Sequence, residues 1–493
     1  MLAKKLSRRH FLGGSLLIFG GTACSAAVDR YAQPGPPDEL TPPDGTDRHP
    51  IAHLLNRATY GPRPDHWAQV EAMGPAAWLD YQLDYQQIGD SKLDLQLRRF
   101  DTLPMHNRDL LGFNGGPNRR YVTDELVAAT LMRALYSERQ LYEVMVGFWS
   151  DHFSLYHFKS NMTAYKTVDD REVIRAHALG TFGDLLRASA HSPAMLYYLD
   201  NVLNEKSQPN ENYAREIMEL HTLGVEGGYS ETDIQEVARC FTGWSINDRG
   251  LFEFLPDWHD EGEKTVLGQT IPAGGGKSDG DRVLNILLAH PSTPRYVGGK
   301  LLRRLVADEP SPAMLDDVVS TWEGTGGDIR AIVRTVFNHA EFPAAPAKLK
   351  RPFELLVSLL RATYARYDGR EDVTYILDRL GHRPFAWPTP DGYPDTAAEW
   401  TGNLLGRWNL CLDVMNGAIP GLQTDLDALA EAGNLGPLGD NYSEEALRFF
   451  GRLFLSRELK PEELGPLATH WQTTGNAGEV IALLAASPAF QWR

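Results

Sequence analysis

Cysteine is scarce in this chain: 493 residues contain three, Cys24, Cys240 and Cys411. So low a count excludes a disulfide-rich scaffold and a zinc site built on thiolates. Once a leader carrying Cys24 is removed, at most one intramolecular disulfide can form, so the core must hold the fold. Positive charge is also in deficit, with 48 Lys and Arg against 65 Asp and Glu and a formal net charge of −17. That balance argues against general affinity for nucleic acid or anionic membrane. The acidic residues form no long runs, which excludes a disordered acidic tail. Several catalytic motifs are missing. Without Gly-x-Ser-x-Gly there is no serine-hydrolase elbow, and without His-Glu-x-x-His no zinc-protease helix. No Cys-x-x-Cys-His attaches a haem. Convincing strands are few, and no repeat of fixed period occurs.

What is present begins with an export signal. Ser7-Arg8-Arg9-His10-Phe11-Leu12 is a twin-arginine pattern, and the apolar run Phe11–Phe19 behind it is too short to span a membrane. Small residues from Gly20 to Ala27 offer cleavage sites, so residues 1–27 read as a signal peptide. Gly21-Thr22-Ala23-Cys24 is a lipobox-like sequence that would put a lipid anchor on Cys24. Either outcome places the chain in the periplasm or outside the cell, with no membrane span after processing. Residues 28–49, rich in Pro, Asp, Gly and Thr, read as a flexible tether.

The remainder reads as mainly α: a large multi-helix orthogonal bundle with a short β-hairpin excursion. We expect a helical core domain over 50–345 and a C-terminal helical subdomain over 346–493 packed on it, with the boundary in Phe342–Lys350. Within the helix expected over Glu138–Phe153, residues Leu141, Val144, Met145, Phe148, Trp149 and His152 share one face. An amphipathic helix is expected over Pro352–Tyr367, and a hairpin or irregular excursion over Leu251–Leu267. Gly276-Lys277-Ser278 ends like a phosphate loop, but Ile271 stands where the first glycine belongs.

The densest charge pattern lies in Asn210–Trp244. The spacing predicts a helix over Glu211–Leu223 closed by Gly224, a turn at Gly227-Gly228, and a second helix started by Ser230 and Asp233 as a capping box. Asn212, Glu216 and Glu219 fall on one face of the first helix, with Arg215 beside them; Asp233 and Glu236 pair on the second. His221 lies near the junction.

Four stretches together resemble the bacterial exported family known as domain of unknown function eighteen-hundred: L-L-N-R-A-T-Y-G-P (54–62), F-W-S-D-H-F (148–153), the run 210–244, and H-D-E-G-E-K-T-V-L-G (259–268). H-P-S-T-P (290–294) and the terminal S-P-A-F-Q also fit. The resemblance implies an exported, mostly helical protein, often encoded near a second exported protein of sulfatase- or phosphatase-like kind, which would be its partner. It implies no established reaction. In that family the position of His221 is often Phe, whereas the positions of Asn212, Arg215, Glu216 and Glu219 usually match, which favours the acidic and amide residues as functional.

Three readings stay open. A divalent transition metal such as Fe, Mn or Zn could draw on His152, Glu216, Glu219, Asp233 and His259, although neither helix of the pair carries the Glu-x-x-His of a di-metal bundle. Metal-free acid–base chemistry would use Glu216, Glu219 and Asp260 with Asn212, while Arg57 and Arg215 hold an anionic substrate or orient the acids. The third reading is a scaffold or cell-surface assembly partner in which Asn212, Arg215, Glu219, Asp233 and Arg239 form a buried ion-pair lock.

Overall fold

The computed structural model describes residues 48–113, 118–438 and 442–493, the side chains of 118 and 119 aside. The twin-arginine segment, Cys24 and nearly all of the tether lie outside the described residues. Within them the fold is mainly helical, and its strands form three two-stranded antiparallel sheets. One apolar core runs from Leu54 to Phe490, so residues from both sides of the expected boundary share it.

Helix α1 (Pro50–Ala58) opens with proline at its first turn and is buried almost throughout. The end of the chain covers it: the Asn56 amide donates to Ser456 Oγ at 2.9 Å, and Arg493 Nη1 reaches the Asn56 carbonyl at 3.3 Å. Phe342–Lys350 is not an exposed linker. Lys348 N donates to Arg493 O at 2.9 Å and Lys350 N to Gln491 O at 2.8 Å, making a short backbone ladder with the C-terminus.

Helix α2 (Gln140–His152) buries ten of its thirteen residues, as its apolar face requires. The two signature helices are α3 (Glu211–Glu219) and α4 (Glu231–Cys240). Four residues sooner than the spacing predicts, α3 stops. Thr222 Oγ1 donates to Ile217 O at 2.6 Å and Leu223 N to Met218 O at 2.7 Å, so a side chain and a widened turn take the last carbonyls. The Ser230–Asp233 capping box forms, with Asp233 N donating to Ser230 Oγ at 3.2 Å and Ser230 N to Asp233 Oδ2 at 2.9 Å.

Two hairpins follow, β1 (Trp244–Ile246) with β2 (Phe252–Phe254) and β3 (Lys264–Val266) with β4 (Gln269–Ile271). Helix α5 (Ser292–Leu305) comes next. Helix α6 (Pro352–Ala362) is buried at every residue rather than amphipathic, and it ends before the expected Tyr367. Tyr364 turns the chain with φ 48° into the two-residue strand β5 (Arg366–Tyr367), paired with β6 (Leu422–Gln423). Buried inside α6 are Glu354 and Arg361, which must be paired there. Cys240 and Cys411 are buried and form no disulfide.

Candidate functional site

The charges of the signature pair divide between two tasks. On α4 they clamp the second hairpin. Asp233 Oδ1 accepts from Leu267 N at 2.7 Å and Glu236 Oε2 from Thr265 N at 2.9 Å. Arg239 bonds both Glu236 (2.8 Å) and Asp260 (2.7 Å). Hydrogen bonding to Arg239 holds the Asp260 carboxyl below its usual range. On α3, Arg215 turns outward to the exposed Glu231 at 2.7 Å and to Glu211 at 3.3 Å. The Asn212 amide donates to Leu199 O at 3.2 Å.

His259 belongs to a closed knot. Its Nδ1 lies 2.8 Å from Thr242 O, and its Nε2 lies 3.3 Å from Asp279 Oδ2, which also accepts from Lys264 Nζ at 2.7 Å. All three side chains are fully buried. Arg57 is equally enclosed, donating through Nη2 to Pro346 O at 2.6 Å. The five residues considered as metal ligands are therefore split: Asp233 clamps the hairpin, His259 sits in the knot, His152 faces an aromatic core, and only Glu216 and Glu219 stay together. Among the described residues no three His, Cys, Asp or Glu side chains are grouped as a metal would require.

A cleft of about 310 Å³ lies between α5 and the segment 387–399, and Glu216 is within electrostatic reach of Asp391 in its wall. Lys300 and Arg303 line it from α5; Trp387, Asp391, Tyr393, Asp395 and Glu399 line it from the facing segment. That segment is held against the end of α2. Gly392 adopts φ 77°, and a Cβ there would stand 2.0 Å from the Asp151 carbonyl oxygen, so only glycine fits. Asp391 accepts from Trp387 Nε1 at 2.8 Å, and Tyr393 donates to Arg383 O at 2.7 Å.

Beneath the cleft lies a buried ionic cluster. Arg304 bonds Glu354 at 2.7 Å and Asp395 at 3.0 Å, while Arg351 bonds Asp151 at 2.8 Å and Glu354 at 3.3 Å. Burial would raise the Glu354 carboxyl, but Arg493, Arg304 and Arg351 hold it well below the carboxylate range. In the same way Arg351, Arg304 and Lys348 overcome burial and keep Asp395 at about 2. The charges of this cluster are paired with one another, although Arg304 Nε and Arg493 Nε have no hydrogen-bond partner.

Lys300 differs. It is half-buried in the cleft wall, and its Nζ has no hydrogen-bond or ion-pair partner among the described residues; the Tyr296 ring centre lies 5.7 Å away. Burial depresses its ammonium to about 8, with Asp395, Asp151 and Asp391 opposing in part. Burial, Glu219 and Asp391 push the Glu216 carboxyl upward, against Arg215. Behind Lys300, burial and its charge keep His221 low, at about 3, and His152 well below its usual range. His152 Nε2–H donates to His221 O at 3.1 Å, leaving Nδ1 as the bare nitrogen; neither it nor His221 Nε2 has a partner.

The site thus gathers Asp151 and His152 from F-W-S-D-H-F, His221 from the central run with Glu216 in electrostatic reach, Lys300 from the helix that begins within H-P-S-T-P, and the Pro- and aromatic-rich stretch after Gly381. Lys300, Arg303, Asp391 and Asp395 did not emerge from the spacing arguments. A signal existed: Lys300 interrupts a buried stripe containing Val297, Leu301 and Arg304.

Together these features define a helical protein with a lysine- and carboxylate-lined cleft, in which no helix among the described residues is long and apolar enough to cross a membrane. The family described as "Protein of unknown function (DUF1800)" matches residues 53–492, and the chain belongs to it. No curated protein and no solved structure matches the chain.

Proposed function

We propose that this is an exported acid–base enzyme working on an extracytoplasmic substrate at the Lys300 cleft. The observation that carries the reading is an unpaired lysine held in the wall of an open cleft among carboxylates. Burying an ammonium without a partner is costly, and the neighbouring Asp395 is instead committed to arginines. Deprotonated near pH 8, Lys300 abstracts a proton as general base and returns it from its ammonium form, while Arg303 holds an anionic substituent. A metal-assisted version would draw on Glu216 and Glu219, the two carboxylates that remain adjacent. The clamp formed by Asp233, Glu236, Arg239 and Asp260 favours a lock for that half of the signature alone. NMR of protein carrying ¹³C-labelled lysine should show Lys300 titrating near 8. A midpoint near the ordinary value of about 10.4 would sink the base assignment.

Export rests on Arg8-Arg9 and the segment behind them. Replacing both arginines by lysine should leave the chain in the cytoplasm; unchanged export would refute the route. A lipid anchor on Cys24 and a second exported protein encoded nearby would confine the cleft to the cell surface.

A further inference from the structure

A second and larger cleft, of about 440 Å³, shares no lining residue with the Lys300 cleft. One wall is the Asn107–Leu111 helix, another the Met162–Asp169 helix, and a third the end of the β1–β2 hairpin. The hairpin tip is fixed in place. The Asn107 amide donates to Gly250 O at 2.7 Å, and a Cβ at Gly250 (φ 73°) would stand 2.7 Å from Asn107 Cβ and 3.2 Å from Tyr165 Cε1. The tip therefore carries Arg249 to the rim, and Arg108 lines the cleft from the helix.

Neither guanidinium has an ion-pair or hydrogen-bond partner among the described residues. The carboxylates in the wall do not answer them. Asp169, 3% exposed, is bonded by Lys166 at 2.9 Å and by Ser192 at 2.8 Å, and Glu172 is paired with Arg171 at 2.7 Å. Asn107 is 4% exposed, yet its Oδ1 has no donor. Two exposed, unpaired guanidinium groups at the rim offer a site to an anion, and a buried, unpaired carbonyl oxygen asks for a hydroxyl. Tyr165 and Phe252 add aromatic surface to the same cleft.

We propose that this cleft binds an anionic sugar of the uronic acid kind. Arg108 and Arg249 take the carboxylate, a ring hydroxyl donates to Asn107 Oδ1, and the apolar face of the sugar lies on Tyr165 and Phe252. Calorimetric titration and saturation-transfer NMR of the mature chain test this, with D-glucuronate as the probe and D-glucose and acetate as comparators. The expected result is saturable glucuronate binding, with glucose and acetate each at least about tenfold weaker. In the Arg108→Ala/Arg249→Ala variant glucuronate should weaken by about tenfold or more at an unchanged melting temperature. Absence of saturable binding overturns the proposal, as does acetate binding as tightly as glucuronate, or glucuronate binding that survives the double replacement. The ranking of the three probes on the unaltered chain decides the matter even if the variant folds poorly.

Discussion

Replacing Lys300 by methionine separates a functional lysine from a structural one. Methionine keeps the length of the stem and removes the charge. Taking the ammonium from 10.5 in the unfolded chain to about 8 in the fold corresponds to roughly 3 kcal/mol at pH values below both. Solvent reaches the half-buried group, so about 1–2 kcal/mol is the realistic size of the effect. Because the folded value is the lower one, the unfolded chain binds more protons between pH 8 and 10.5. Over that interval stability gained from this group rises with pH, and the penalty is complete only below about 8. Lys300→Met should therefore be more stable than the natural chain at pH 7 by about 1–2 kcal/mol, and the gap should close by pH 10.5. Urea unfolding at several pH values measures it, and comparing the two chains cancels Lys348 and Lys350, which burial also depresses. A destabilised variant at pH 7, or a gap indifferent to pH, would refute the reasoning.

The ionic cluster under the cleft should behave in the opposite sense. Glu354→Gln leaves Arg304 and Arg351 without their shared carboxylate and should cost about 3–5 kcal/mol, read as a lower urea midpoint; a loss below about 1 kcal/mol would show the cluster to be dispensable. In acid, the depressed Glu354 and Asp395 carboxyls supply stability that is present above about 4.5 and is lost as pH falls, the Asp395 share on passing about 2, which a circular-dichroism acid titration follows. Gly392→Ala forces a methyl toward the Asp151 carbonyl and should cost about 1–3 kcal/mol. It should also shift the fluorescence of Trp387 in the cleft; an unchanged spectrum would mean that the segment does not depend on this contact.

Local patterns were the legible part of the fold. Ser230 and Asp233 announce the start of α4 because a capping box is completed within four residues. Likewise α2 is written in the spacing of its apolar residues. Less legible was the end of α3, where Thr222 competes for the helix carbonyls, and the nature of α6, where Glu354 needs the distant Arg304 besides the neighbouring Arg351, and Arg361 needs the distant Gly61 carbonyl. For the candidate site, spacing correctly put Glu216 and Glu219 on one face. It could not say that Asp233 and Glu236 on the neighbouring helix would be consumed in holding the hairpin.

From sequence by itself come the mainly helical class, the family, the absence of a thiolate metal centre, and the charge-rich helix pair as the place to look. These are properties of composition and of contacts within a few residues. The tertiary structure alone decided which charges meet. It paired Asp395 with Arg304 and Arg351, 91 and 44 positions away in the chain, and left Lys300 unpaired beside them. A side chain becomes costly or reactive through the groups that surround it after folding, and here those groups arrive from four separate segments.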